Sequence, residues 1–142
     1  MTAKILIVDD DPLIHQLYRR HIERAGYQVI GAMNGREAME IAAREMPQVI
    51  VMDIMMPEMD GLTAAFGIKR AEATQRIPIV MITANPMYHL CHQQSEYVGA
   101  AVFLTKPFSP ARLLQEIERL VSHQPAQVSA NEGQLTKEGN AQ

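Results

Sequence analysis

Five short apolar runs, separated by stretches of helical period, constrain this 142-residue chain more than any other feature. They cover residues 5–8, 28–32, 49–53, 79–83 and 101–105. Ile and Val dominate them, and most lack polar alternation. A strand covered on both faces reads this way, whereas a strand with one wet face alternates. Between the runs the apolar spacing lengthens to three or four residues. Leu13, Ile14, Leu17 and His21/Ile22 form one stripe, Met39, Ala42, Ala43 and Met46 a second, and Leu113, Leu114, Ile117, Leu120 and Val121 a third. The interval 86–98 is the least regular and carries two histidines and Cys91.

The punctuation agrees with this alternation. Asp11-Pro12 and Ser109-Pro110 each put a capping residue before a proline suited to the first helical position. Ala25-Gly26, Asn34-Gly35 and Asp60-Gly61 fall at junctions, where a cap, a turn or a positive φ is wanted. Strand and helix alternate five times, so the expected fold class is α/β: a five-stranded, doubly wound parallel sheet with helices on both faces. The expected domain spans residues 1–122. Residues 123–142 hold four Gln and two Gly, show no apolar period, and read as a disordered tail or the start of a linker.

Thirteen Lys and Arg against sixteen Asp and Glu give a net charge of −3, which offers no basic footprint for direct nucleic-acid binding or for an anionic membrane. One cysteine makes no internal disulfide. No apolar run reaches membrane-spanning length, and the N-terminal residues lack signal-peptide anatomy, so a cytoplasmic location is expected.

In an open parallel sheet, ligands bind outside the carboxyl ends of the strands. The first run ends in Asp9-Asp10-Asp11, the third in Asp53, the fourth in Thr83 and the fifth in Lys106-Pro107. Singly, each has an ordinary explanation: Asp11 reads as an N-cap, the acidic pair as a turn, and Thr83 and Lys106 as surface residues. Asp53 stands apart, because a charge that interrupts an apolar run is costly to desolvate. Together they place carboxylates, a hydroxyl and an ammonium on one edge. Clustered carboxylates call for a hard divalent cation, and Mg²⁺ takes one or two of them together with phosphate oxygens and waters. A lysine suits a phosphate, and a carboxylate is a legitimate nucleophile for phosphoryl transfer.

The segments Lys4-Ile5-Leu6-Ile7-Val8-Asp9-Asp10-Asp11-Pro12, Met52-Asp53-Ile54-Met55-Met56-Pro57-Glu58-Met59-Asp60-Gly61, Ile82-Thr83-Ala84 and Leu104-Thr105-Lys106-Pro107-Phe108 make the chain similar to the response-regulator receiver domains of two-component systems. The resemblance covers residues 4 to about 121. It implies a flavodoxin-like (βα)5 fold with strand order 2-1-3-4-5. By it, Asp53 is the phospho-acceptor, supplied by the phosphohistidine of a sensor histidine kinase or a histidine phosphotransfer protein. Asp9 and Asp10 hold Mg²⁺ with Asp53 and the main-chain carbonyl of Met55. Lys106 pairs with the phosphoryl group, and its bond to Pro107 is cis. Thr83 and Phe103 are the switch residues. The signal then passes to a downstream protein target or output domain, or to a phosphorylation-dependent dimer, through the surface of the 86–98 segment, the fifth strand and the last helix. The domain is then a switch that catalyses only its own phosphorylation and dephosphorylation.

The rival readings fit less well. A haloacid-dehalogenase-type phosphatase wants a second Asp two residues after the nucleophile, where this chain has Met55. A flavin-binding flavodoxin wants a hydroxyl- and glycine-rich loop after the first strand, where three aspartates stand. A phosphorylation-independent interaction module is the remaining alternative. Met55 beside the acceptor is expected to slow hydrolysis of the acyl phosphate by hindering an in-line water. His89 and His92 near Cys91 make a thin case for a metal site. Met55, Met56 and Met59 suit either loop packing or a partner contact.

Overall fold

The computed structural model describes residues 2–56, 59–84 and 102–123. They form five strands, β1 (Lys4–Val8), β2 (Gln28–Ala32), β3 (Val49–Asp53), β4 (Ile79–Thr83) and β5 (Val102–Thr105). Four helices accompany them among the described residues: α1 (Pro12–Arg24), α2 (Gly35–Glu45), α3 (Gly61–Arg70) and a last helix, α4 (Pro110–Ser122). The sheet runs β2-β1-β3-β4-β5, with every neighbouring pair parallel. The fold is therefore the flavodoxin-like arrangement expected, and order reverses at β1, between β2 and β3.

Side chains alternate across the sheet and feed two cores. Leu6, Val8, Ile50, Met52, Ile79, Met81 and Phe103 point to the layer built with Ala38, Ala42, Ala64, Ala65 and Ile68 of α2 and α3. Ile5, Ile7, Val49, Val51, Val80, Ile82 and Leu104 meet Tyr18 and Ile22 of α1 and Leu113, Ile117 and Leu120 of α4. β3 and β4 are buried along their whole length, which is why their sequences show no alternation. β2 departs from that reading: it is an edge strand, and Gln28 and Gly31 are exposed.

Caps set the helix starts. The side chains of Asp11, Asn34, Asp60 and Ser109 accept from the amides of Leu13, Glu37, Thr63 and Arg112 respectively, satisfying donors that have no partner inside the helix. The α4 stripe buries as expected, through Leu113, Ile117 and Leu120. Two expected stripes are corrected. In α1 the sheet is met by Tyr18 and Ile22 with Ile14 packed against them, whereas Leu13 is 71% exposed and Leu17 45% exposed. Tyr18 brings the larger apolar surface and stacks near Phe108, with ring centroids 6.2 Å apart, so the helix turns that side inward. In α2 it is Ala38 and Ala42 that bury, while Ala43 faces solvent and Met46 leaves the helix at φ 49°. Small residues on that line let α2 approach the sheet and α3 closely. The 86–98 segment, with His89, His92 and Cys91, and the tail beyond residue 123 lie outside the described residues. Among the described residues, no helix is long and apolar enough to cross a membrane.

Candidate functional site

The sheet delivers its polar residues where its hydrogen-bond ladders end. β1 makes its last register pair at Val8↔Ala32; the Asp9 amide still donates to the Ala32 carbonyl at 3.2 Å, and the chain then leaves the sheet. Asp9 turns inward and is buried, and its Oδ1 accepts from the Asp11 amide at 2.9 Å. Asp10 stays exposed. Asp11 serves as the cap of α1, accepting from Leu13 at 2.9 Å.

Asp53 closes β3 opposite Ile82 and is buried. The Ile54 amide donates to Ile82 at 2.9 Å, and the Gly61 amide donates to Ile54 at 2.8 Å, so the start of α3 is tied to the main chain just after Asp53. Position 61 must be glycine for a steric reason. A Cβ there would lie 2.3 Å from the Asp53 carbonyl oxygen and 2.9 Å from Ile54 Cα, both backbone atoms. Thr83 ends β4, fully buried and opposite Thr105, and its carbonyl accepts from the Lys106 amide at 2.8 Å. Lys106 then reaches back across the sheet edge, with Nζ 3.9 Å from Asp53 Oδ1. Its peptide bond to Pro107 is cis.

One carboxylate oxygen from each of Asp9, Asp10 and Asp53 lies within 4.8 Å of the others, a cluster of negative charge with two buried members. Burial, then repulsion from Asp9, lifts the Asp53 carboxyl from 3.8 to about 6, against the downward pull of Lys106 and of a hydrogen bond from the Met55 amide. Burial likewise raises Asp9, partly offset by its bond from the Asp11 amide. Tyr18, packed beneath, is pushed up to about 12 by burial and by the Asp9 and Asp53 charges. One ammonium at 3.9 Å does not balance this cluster. Three hard oxygen donors at such spacing suit Mg²⁺ or a similar divalent ion, which keeps positions for water and phosphate oxygens. The donor set fits.

Asp9, Asp10, Asp53 and Lys106 thus converge, Thr83 shares their edge, and Met55, 69% exposed, stands beside Asp53. Phe103 lies elsewhere, two strand positions back from Thr105 and buried in the α2/α3 layer. Two contributors escaped the sequence reading. In the sequence Gly61 reads only as a junction residue, and its close approach to the Asp53 main chain has no local signal. His15 of α1 is half-buried, with Nε2 2.7 Å from the Asp9 carbonyl oxygen and 3.1 Å from that of Ala32. Its only hint is a polar residue on the inner side of an amphipathic helix, opposite a glycine inside a strand.

A family model described as "Response regulator receiver domain" matches residues 5–118. The DNA-binding dual master transcriptional regulator RpaA of Synechocystis is 36% identical over 118 residues, covering 83% of this chain and 48% of RpaA. The polar-differentiation response regulator DivK of Brucella ovis is 33% identical, covering 83% of this chain and 95% of DivK. The chain therefore spans about half the length of RpaA and nearly all of DivK. Among known structures, the receiver domain of sensor histidine kinase PA1611 from Pseudomonas aeruginosa superposes with a TM-score of 0.77 at 29% identity, covering 86% of this chain and 99% of that one. That structure holds a magnesium ion coordinated in its active-site cleft.

Proposed function

The chain belongs to the response regulator receiver family, and from that premise we propose that it is a phosphorylation-driven switch whose acceptor is Asp53. The observation that carries this reading is the convergence of three carboxylates within 4.8 Å, with Lys106 3.9 Å from Asp53. A carboxylate oxygen of Asp53 attacks the phosphorus of a phosphohistidine on a sensor histidine kinase or a histidine phosphotransfer protein. The O–P bond forms as the P–N bond breaks, and the imidazole departs with the electron pair. Asp9 and Asp10, with Asp53 and the Met55 carbonyl, would hold Mg²⁺, which supplies charge neutralisation and alignment for the transfer. Lys106 stands where it can pair with a phosphoryl oxygen, and its ammonium offsets negative charge already present at Asp53.

A phosphoryl group on Asp53 adds charge and acceptor oxygens. Thr83, on the same edge, offers a hydroxyl to one of them. Movement of Thr83 changes the space beside β5, where Phe103 packs. Phe103 has no hydroxyl, so its preference between arrangements rests on packing alone. Phosphate stabilises one of two arrangements, and the altered surface is read by a downstream protein, an output domain or a second copy of the domain. The domain catalyses only the gain and loss of its own phosphate.

Intact mass after incubation with a small acyl-phosphate donor tests this directly. A gain of one phosphoryl group that needs both Mg²⁺ and Asp53, and that is absent in Asp53→Ala, is expected. A folded protein that gains nothing under any condition would overturn the reading and leave an interaction module that ignores phosphate.

A further inference from the structure

Asp9 has to aim its carboxylate at Asp53 from a stretch of chain that has just left the sheet, and α1 supplies a device for holding it there. The His15 Nε2 lies 2.7 Å from the Asp9 carbonyl oxygen and 3.1 Å from the Ala32 carbonyl oxygen. Both partners are acceptors, so Nε2 carries the proton and donates, shared between the ends of two neighbouring strands. The Ala32 carbonyl also accepts from the Asp9 amide at 3.2 Å, so one strand-end oxygen meets both Asp9 and His15.

The ring has room because of a residue on the other element. A Cβ at Gly31 would lie 2.9 Å from His15 Nδ1 and 3.0 Å from Cε1. A side chain at 31 would therefore require the imidazole, the far end of a flexible side chain, to shift from its place against the two carbonyls. Gly31 is inside a strand, where glycine forfeits packing and conformational order, so close approach of another group is the physical use of such a residue.

We infer that His15 is a positioning residue for the acidic cluster: its Nε2–H pins the Asp9 carbonyl to the end of β2, with Gly31 as the socket that admits the ring, and so fixes the carboxylate of Asp9 relative to Asp53. The inference rests on the reading of Asp9, Asp10 and Asp53 as a cation and phosphoryl site. His15 touches neither the cation nor the phosphoryl group and acts through the Asp9 main chain.

The test uses the full chain as His15→Phe, which keeps a ring and removes the donor, His15→Gln, which restores an N–H donor, Gly31→Ala, His15→Ala, and the His15→Ala/Gly31→Ala double variant. Mg²⁺ affinity is read by titration calorimetry, and protection of the Asp9 and Asp11 amides by hydrogen exchange without metal. His15→Phe and Gly31→Ala should each weaken Mg²⁺ roughly tenfold, the low end for groups that orient a ligand. Both should also speed exchange at Asp9 and Asp11, and His15→Gln should recover most of the affinity. In the His15→Ala background, Gly31→Ala should cost nothing further, because no ring remains to be displaced. Wild-type affinity and protection in His15→Phe, no recovery in His15→Gln, or losses at 15 and 31 that simply multiply would each overturn the inference. If the wild type binds no Mg²⁺ and takes up no phosphoryl group, the reading of the site fails instead, and the metal-free exchange at Asp9 and Asp11 still decides the role of His15.

Discussion

Replacing the acceptor by its neutral isostere, Asp53→Asn, should make the metal-free protein more stable. In the folded state the carboxyl is lifted from 3.8 to about 6, mainly by burial and then by Asp9. The folded protein therefore holds that proton more tightly than the unfolded chain, and ionised Asp53 opposes folding. At about 1.4 kcal/mol per pKa unit, the penalty above pH 6 is about 3 kcal/mol. It is present in full above about pH 6 and is relieved as the pH falls through the folded value towards 3.8. The pull of Lys106 is already contained in that value, but an Asn amide buried there leaves hydrogen-bonding groups unmet, which returns roughly 1–2 kcal/mol. A net gain of about 1–2 kcal/mol at pH 7.5 follows, or a rise of very roughly 1 M in the urea midpoint. Urea unfolding in chelator at pH 7.5 and pH 4.5 checks it. At the lower pH the penalty falls to about 1 kcal/mol, because wild-type Asp53 is then largely protonated when folded, so the gain should vanish. Mg²⁺ should close the gap at pH 7.5 by stabilising the wild type through binding. A variant no more stable than wild type at pH 7.5, or one whose advantage ignores pH, would refute the reasoning.

Three further outcomes are expected. Gly61→Ala places a methyl 2.3 Å from the Asp53 carbonyl oxygen and should cost about 2–3 kcal/mol while slowing phosphoryl uptake; a chemical-denaturation curve that overlays wild type would contradict the contact. Phosphoryl uptake at limiting Mg²⁺ should fall as pH drops below about 6, since a protonated Asp53 is neither nucleophile nor ligand. In Lys106→Met the midpoint of any residual uptake should move up, and a midpoint that stayed put would show that the ammonium does not act on Asp53. Met55→Asn replaces an exposed thioether beside the acceptor with a side chain able to orient water, and should shorten the phosphoryl lifetime followed by intact mass. An unchanged decay rate would end that idea.

How far the chain could be read differs with the kind of information involved. Strands buried on both faces announce themselves, since β3 and β4 have no wet face to alternate with, and their ends are marked by Asp53 and Thr83. Caps are equally local: Asp11, Asn34, Asp60 and Ser109 each act within three residues of their own position. The acidic edge was legible for the same reason, because a parallel sheet brings strand ends together whatever lies between them.

What needed the tertiary structure was every choice made between elements. α1 carries apolar residues at 13, 14, 17, 18 and 22, which is enough for more than one inward face. Packing against Phe108 and the sheet selected Tyr18 and Ile22 and left Leu13 outside. Gly31 lies inside an apolar run and Gly61 follows a helix cap, and neither context says what packs there: one makes room for an imidazole from α1 and the other for the backbone of β3. The upward shift of Asp53 likewise comes from burial and from Asp9, a residue 44 positions away in the chain. Period and capping are short-range and are written along the chain; steric fit and charge coupling exist only once distant residues are brought to within a few ångströms.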